Sequence, residues 1–194
     1  MIELPILETE RLRIRPFKLD DLDNIHNLNV QIGWVDKSET PVEQLEHRRR
    51  YLEWNIENYW ALTDLQQRPT GDRLIELKGS GEFVGACGIA SLWLPMPQLP
   101  SFGGQENSRM QAEVTLMWAV LPELWGNGYA PEAARALIDA LFKEARLQRV
   151  LATTEHENFA SQRVMEKIGM RVEKNPFSEP FWFQAVGIIE ADWG

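Results

Sequence analysis

The chain has 194 residues, 44% of them hydrophobic and 25% charged, which suits one ordinary globular domain with a sizeable core, 1–194. Its net charge of −9, from 29 acidic against 20 basic residues, argues against a nucleic-acid binder, which needs basic patches. The single cysteine, Cys87, excludes an intramolecular disulfide, and three histidines without ligand spacing (His26, His47, His156) give no reason to expect a metal. The first residues carry no basic start followed by a long apolar core, and no apolar run approaches a membrane span, so a cytoplasmic protein without membrane contact is expected.

In chain order, Arg11–Pro16 alternates, with Leu12 and Ile14 on one face, and reads as a strand. Leu19–Leu22 offers an N-cap to a helix carrying Leu22, Ile25 and Leu28, broken at Gly33-Trp34. Thr40-Pro41-Val42-Glu43 is a capping box that opens a second helix, running to about Tyr59. The His47–Arg50 charge run within it reads as a solvated face, with contact to phosphates as the lesser alternative. Arg73–Lys78 and Phe83–Trp93 form a hairpin around Gly79–Glu82. Cys87 lies in its apolar second strand and reads as a small core residue. Pro95, Pro97, Pro100 and Gly103-Gly104 then punctuate a long loop over 94–109, of a length that marks a functional or mobile segment. Ala112–Val120 is a strand, and Ala130–Ala145 an amphipathic helix with Ala134, Leu137, Ile138 and Leu141 on its stripe. Arg149–Thr154 is the next strand, completing a β-α-β unit with parallel strands. Asn158 caps a further helix with the stripe Ala160, Val164, Ile168, closed by Gly169. Phe181–Ile189 reads as a last strand.

The stretch Trp125-Gly126-Asn127-Gly128-Tyr129-Ala130-Pro131 stands where a strand turns into a helix. Its two glycines allow a tight turn and a close backbone approach. The helix behind them offers unpaired N–H groups and the positive end of its dipole, and Pro131 fits the first turn. This is an anion cradle, or a tight turn without a ligand. A P-loop is excluded by the absence of Gly-Lys-Ser/Thr. A dinucleotide fingerprint is excluded by Pro131 at its third small position and by the missing acidic end of the next strand.

Trp125–Ala133 resembles the pyrophosphate loop of the GNAT superfamily of N-acetyltransferases, in the branch like the ribosomal-protein N-terminal acetyltransferases. Glu10–Pro16, Glu113–Val120 and Asn158–Met170 resemble that branch's first strand, fourth strand, and last helix and turn, in the same order. The resemblance implies an α+β fold: a central mixed, mostly antiparallel sheet with splayed fourth and fifth strands, flanked by helices. It implies acetyl-CoA as co-substrate, no metal, and an amine-bearing acceptor, a protein N-terminus or a small molecule, with the protein a monomer or homodimer. Pantetheine is expected against the backbone of Trp118, Ala119 and Val120 and beside Asn158. The pyrophosphate is expected on Trp125, Gly126, Asn127, Gly128, Tyr129, Ala130 and Pro131. Trp125 stands where many members carry Gln or Arg, which matters little to main-chain binding. Trp34 and the 94–109 loop are candidates to line the acceptor side.

Acyl transfer to an amine requires the neutral amine, because only its lone pair attacks. A lysine-type amine has a pKa of about 10.4 and an α-amine about 8, so a base or desolvation must help near pH 7. Glu113, at the start of the fourth strand, is the candidate base through a water; a solvated strand-end carboxylate is the alternative. Ser161 matches a serine proposed as proton donor in this branch; a helix serine bonded to its own backbone is the alternative. Met165 occupies the position where other members carry a tyrosine acid, and it cannot donate a proton. Two functions therefore stand: an N-acetyltransferase acting by direct attack in a ternary complex, or a non-catalytic CoA-binding sensor or scaffold.

Overall fold

Alternation at Leu12 and Ile14 places both side chains fully inside, and the strand they define organises the first half of the chain. The computed structural model describes residues 4–65, 67, 70–106 and 109–192. These form two compact units, each made of two stretches of chain: Met1–Gly88 with Trp118–Ala140, and Ile89–Met117 with Leu141–Gly194.

In the first unit the strand order is β1 (Leu7–Glu8), β2 (Leu12–Pro16), β3 (Gly71–Leu77) and β4 (Phe83–Leu94), whose later part belongs to the second unit. β1 and β3 both run antiparallel to β2, with Leu12 opposite Leu77 and Ile14 opposite Ile75. Helices α1 (Leu22–Gln31) and α2 (Pro41–Asp64) contribute Ile25, Leu28 and Leu52 to a core that also holds Phe17, Leu74, Ala86, Ala119 and Leu121. The capping box at the start of α2 forms as expected. The Thr40 main-chain N–H donates to Glu43 Oε2 at 2.8 Å, and the Glu43 N–H returns to Thr40 Oγ1 at 3.3 Å. The helix runs one turn past Tyr59. Asp21 does not cap α1 with its side chain. Its carboxylate instead takes both terminal nitrogens of Arg15 at 2.9 Å and the main-chain N–H of Lys18 at 2.7 Å. A nearly buried carboxylate gains more from a bidentate guanidinium than from a helix end.

In the second unit β4 is followed by β5 (Gln111–Val120), whose last residues return to the first unit, then β6 (Arg149–Thr154), β8 (Ala185–Glu190) and β7 (Arg171–Lys174). β5 and β6 are parallel and are joined through α3 (Tyr129–Ala145), as the β-α-β reading requires. Their ladder holds one pair among the described residues, Thr115 with Leu151, whereas β6 and β8 share six antiparallel pairs. This short ladder is the splay expected of the family's fourth and fifth strands. The eight strands among the described residues are thus mixed and mostly antiparallel, with four α-helices beside them.

Two expectations are corrected in this unit and a third is narrowed. The loop read as functional or mobile is packed. Leu94, Met96 and Leu99 are fully buried with Leu151, Phe183, Val186 and Ile188, and Asn175 donates to Gln98 Oε1 at 2.7 Å. Residues 107–108 of that loop lie outside the described residues. The buried stripe of α4 (Phe159–Lys167) carries Gln162 and Met165, ahead of Ile168, while Ala160 is exposed. Gln162 faces inward because its amide donates to the His156 carbonyl at 2.9 Å, satisfying a polar group that composition places outside. The last strand begins at Ala185, since Phe181–Phe183 is a 3₁₀ turn entered from Pro180. Gly169 ends α4 at φ 84°, with Met170 N–H on the Met165 carbonyl and Gly169 N–H on that of Glu166. No helix among the described residues is long and apolar enough to cross a membrane.

Candidate functional site

β5 ends at Val120, a 3₁₀ turn over Pro122–Leu124 follows, and α3 begins at Tyr129. Between them Gly126 and Gly128 take φ of 82° and 81°, the left-handed region that side-chain-bearing residues avoid. Asn127 closes the turn by donating its side-chain amide to the Leu124 carbonyl at 3.0 Å. Trp125 lies exposed, but its indole N–H donates to the Val120 carbonyl at 2.7 Å. Of the strand expected to receive pantetheine, Trp118 is half-buried and Ala119 and Val120 are buried. The Val120 carbonyl is already engaged by the indole. That link is the structural use of the tryptophan at the loop's opening position.

The main-chain N–H groups of Gly126, Asn127, Gly128, Tyr129 and Ala130 meet no acceptor among the described residues. Pro131 has no N–H to satisfy. A Cβ built at Gly126 meets nothing within 4 Å, so the loop's outer face is open to a ligand. Five free donors at the start of a 17-residue helix suit a pyrophosphate, which accepts several hydrogen bonds and is favoured at the positive helix end. The residues present therefore fit CoA's pyrophosphate.

A second feature of this loop was not read from the sequence. Arg11 reaches it from just before β2. Its Nε donates to Glu132 Oε2 at 2.7 Å, Nη1 donates to the Asn127 carbonyl at 3.0 Å, and its guanidinium lies 4.7 Å from the centre of the Tyr129 ring. Glu132 also accepts from the Arg11 main-chain N–H at 3.1 Å and from the Thr9 hydroxyl. Burial raises the Glu132 carboxyl, but the hydrogen bonds from Thr9 and Arg11 outweigh it and hold the group below its ordinary value. Both residues stood inside the motifs, and the available signal was an acidic side chain in the first turn of α3 with an arginine opening β2.

The remaining expected residues lie in the second unit. Asn158 caps α4, its side-chain oxygen accepting the Ser161 main-chain N–H at 3.0 Å. The Ser161 hydroxyl is half-buried and makes no hydrogen bond among the described residues, so it is not bonded to its own helix. Glu113 is not a solvated strand-end group: Arg149 holds both its oxygens, Nε on Oε2 at 3.2 Å and Nη2 on Oε1. Arg149 also lies 5.2 Å from the Phe102 ring centre. Glu113 shares no hydrogen bond with Asn158 or Ser161 among the described residues. Met165 is buried. In the first unit Cys87 is wholly buried, and burial pushes its thiol up to about 12, as suits a core residue rather than a nucleophile. Trp34 is exposed, with its N–H on the Asn29 carbonyl at 2.7 Å. Arg48, expected to face solvent, is half-buried and donates to Asn29 Oδ1 at 2.8 Å.

A strand, a glycine turn whose five N–H groups meet no acceptor among the described residues, and a helix that follows at once make an arrangement suited to a phosphorylated co-substrate. The family model described as "Acetyltransferase (GNAT) domain" matches residues 11–171, and the chain belongs to that family of acetyl-CoA-dependent N-acetyltransferases. The Bacillus subtilis (strain 168) protein YkkB is 32% identical over 170 residues, covering 87% of this chain and 86% of that one. Among solved structures, an acetyltransferase from Agrobacterium tumefaciens str. C58 superposes with a TM-score of 0.67 at 23% identity, covering 98% and 97% of the two chains. The ribosomal L7/L12 alpha-N-protein acetyltransferase RimL, solved with coenzyme A, does so with a TM-score of 0.62 at 14% identity, over 95% and 94%. These likenesses at low identity show the shared fold.

Proposed function

We propose that this enzyme moves the acetyl group of acetyl-CoA to a primary amine by direct attack in a ternary complex, in the cytoplasm. The observation that carries the reading is the set of five unpaired N–H groups over Gly126–Ala130. Acetyl-CoA supplies an activated thioester. The loop's main-chain donors, including those beside Trp125 and Pro131, hold the pyrophosphate, and the Trp118, Ala119 and Val120 backbone and Asn158 orient the pantetheine arm. The acceptor amine must lose its proton before it attacks. Glu113 is the base that this reading assigns, acting through a water; Arg149 takes one lone pair on each of its oxygens and leaves the others for that water. Ser161, whose hydroxyl makes no hydrogen bond among the described residues, is the group that this reading assigns to return a proton to the departing thiolate. With a thiol pKa of about 8.5 that step gains little.

The acceptor is a protein N-terminus or a small amine. The named substrate of the L7/L12 enzyme supports including α-amino peptides. The test is thiol release from acetyl-CoA by the whole chain against α-amino peptides, amino acids and polyamines. Amine-dependent release with acetylated product supports the reading. CoA binding without release under any amine would instead establish a sensor or scaffold.

A further inference from the structure

We propose that Arg11 is a positioning residue of the phosphate cradle, held in place by Glu132. The inference rests on the cradle reading above and assigns the group that gives the cradle its shape. A peptide unit is planar and trans, so its carbonyl and N–H point in opposite directions. Arg11 Nη1 fixes the Asn127 carbonyl at 3.0 Å, and the N–H on the other side of that same peptide belongs to Gly128. Pinning the carbonyl therefore aims the Gly128 N–H to the side away from the guanidinium. Without this contact, the two left-handed glycines on either side of Asn127 leave the peptide free to flip, because glycine offers little steric preference.

Glu132 makes the arrangement rigid. It takes Nε at 2.7 Å and Nη2 at 2.5 Å, and it also receives the Arg11 main-chain N–H. Both nitrogens meet the one oxygen Oε2 while Oε1 takes the main-chain N–H, so the carboxylate grips an edge of the planar guanidinium, which a lysine's ammonium does not offer. The Tyr129 ring supports the guanidinium from the side. The carboxylate also neutralises the guanidinium locally, so Arg11 serves the loop's geometry more than it serves as a bare positive charge. The residue just before β2 thereby sets the conformation of a loop more than a hundred residues further along the chain.

The test uses the whole chain and titrates CoA, dephospho-CoA and S-acetyl-pantetheine into wild type, Arg11→Ala, Arg11→Lys and Glu132→Gln. Arg11→Ala should weaken CoA and dephospho-CoA alike by about ten- to a hundredfold, the size of a lost charge-assisted hydrogen bond. Binding of S-acetyl-pantetheine, which has no pyrophosphate, should not change. KM for acetyl-CoA should rise with kcat little altered. Arg11→Lys should recover only part of the affinity, and Glu132→Gln should lose affinity although Arg11 keeps its charge. A loss for CoA but not for dephospho-CoA would show a plain charge contact with the 3′-phosphate and overturn the proposal. A fall in melting temperature with unchanged CoA affinity would overturn it as well, leaving Arg11 a structural residue. If wild type itself binds no CoA, the cradle reading fails instead.

Discussion

Glu113 and Arg149 face each other across the parallel strands, two residues back from the Thr115–Leu151 pair, with the guanidinium on both carboxylate oxygens. The pair sits beside the one rung that the β5–β6 ladder holds among the described residues, so it clasps β5 to β6 where main-chain bonds are few. It also orients the carboxylate that the base reading invokes.

A base role for Glu113 predicts a definite signature. Glu113→Gln should lower kcat/KM by about 10²-fold near pH 7, within the range of a positioned base. CoA affinity should stay the same, and the loss should shrink at higher pH, where solvent deprotonates the amine unaided. Arg149→Met leaves the carboxylate poorly exposed and unpaired, so it should destabilise the chain more than Glu113→Gln, which keeps an acceptor. Identical pH–rate profiles for Glu113→Gln and wild type would assign Glu113 to the clasp alone and leave desolvation to provide the neutral amine.

Gly128 tests the cradle. Its φ of 81° costs a non-glycine residue about 1–2 kcal/mol, and a Cβ there lies 3.5 Å from Arg11 Nη2, so a branched side chain crowds the guanidinium as well as straining the turn. Gly128→Val should abolish measurable CoA binding by calorimetry while circular dichroism still reports a folded chain. Unchanged affinity would place the pyrophosphate elsewhere.

Leu99 tests whether the segment after β4 is a flap or a wall. It is fully buried among Leu94, Met96, Phe183 and Val186. Leu99→Ala should cost about 2–5 kcal/mol in denaturant unfolding, the range for a core leucine. A cost well below 1 kcal/mol would return the segment to the mobile class.

The sequence was most legible where chemistry is local. The Thr40–Glu43 box, the Asn158 cap and the Gly169 terminus each depend on residues within a turn of one another, and each formed as read. The misreadings share a cause, in that a distant partner decided them. Asp21 left its helix for Arg15, and Gln162 turned inward to a loop carbonyl. The proline-rich segment found a core among residues more than fifty positions later. β7, short and charged at both ends, carries no periodic signal and exists because β8 pairs with it. In the candidate site the glycine turn was visible, because conformation restricts residue type there. The Arg11–Glu132 and Glu113–Arg149 pairs were not, because an ion pair leaves no spacing rule between remote segments.

Ser161 divides two accounts of how the thiolate leaves. Its hydroxyl is free of its own helix and half-buried, so it can donate, which is what an acid role requires. The demand on it is small, however. A thiol with a pKa of about 8.5 gives a leaving group that departs near neutral pH with little help. Met165 supplies no alternative donor at the position one turn on. Ser161→Ala should accordingly reduce kcat by less than about tenfold, or about 1.4 kcal/mol, with KM for acetyl-CoA unchanged, since its main-chain N–H to Asn158 persists. Steady-state rates with two thioesters sharpen the measurement. If Ser161 protonates the leaving group, its removal should hurt a poor leaving group more than a good one. A loss of a hundredfold or more with binding intact would make Ser161 the general acid of this enzyme.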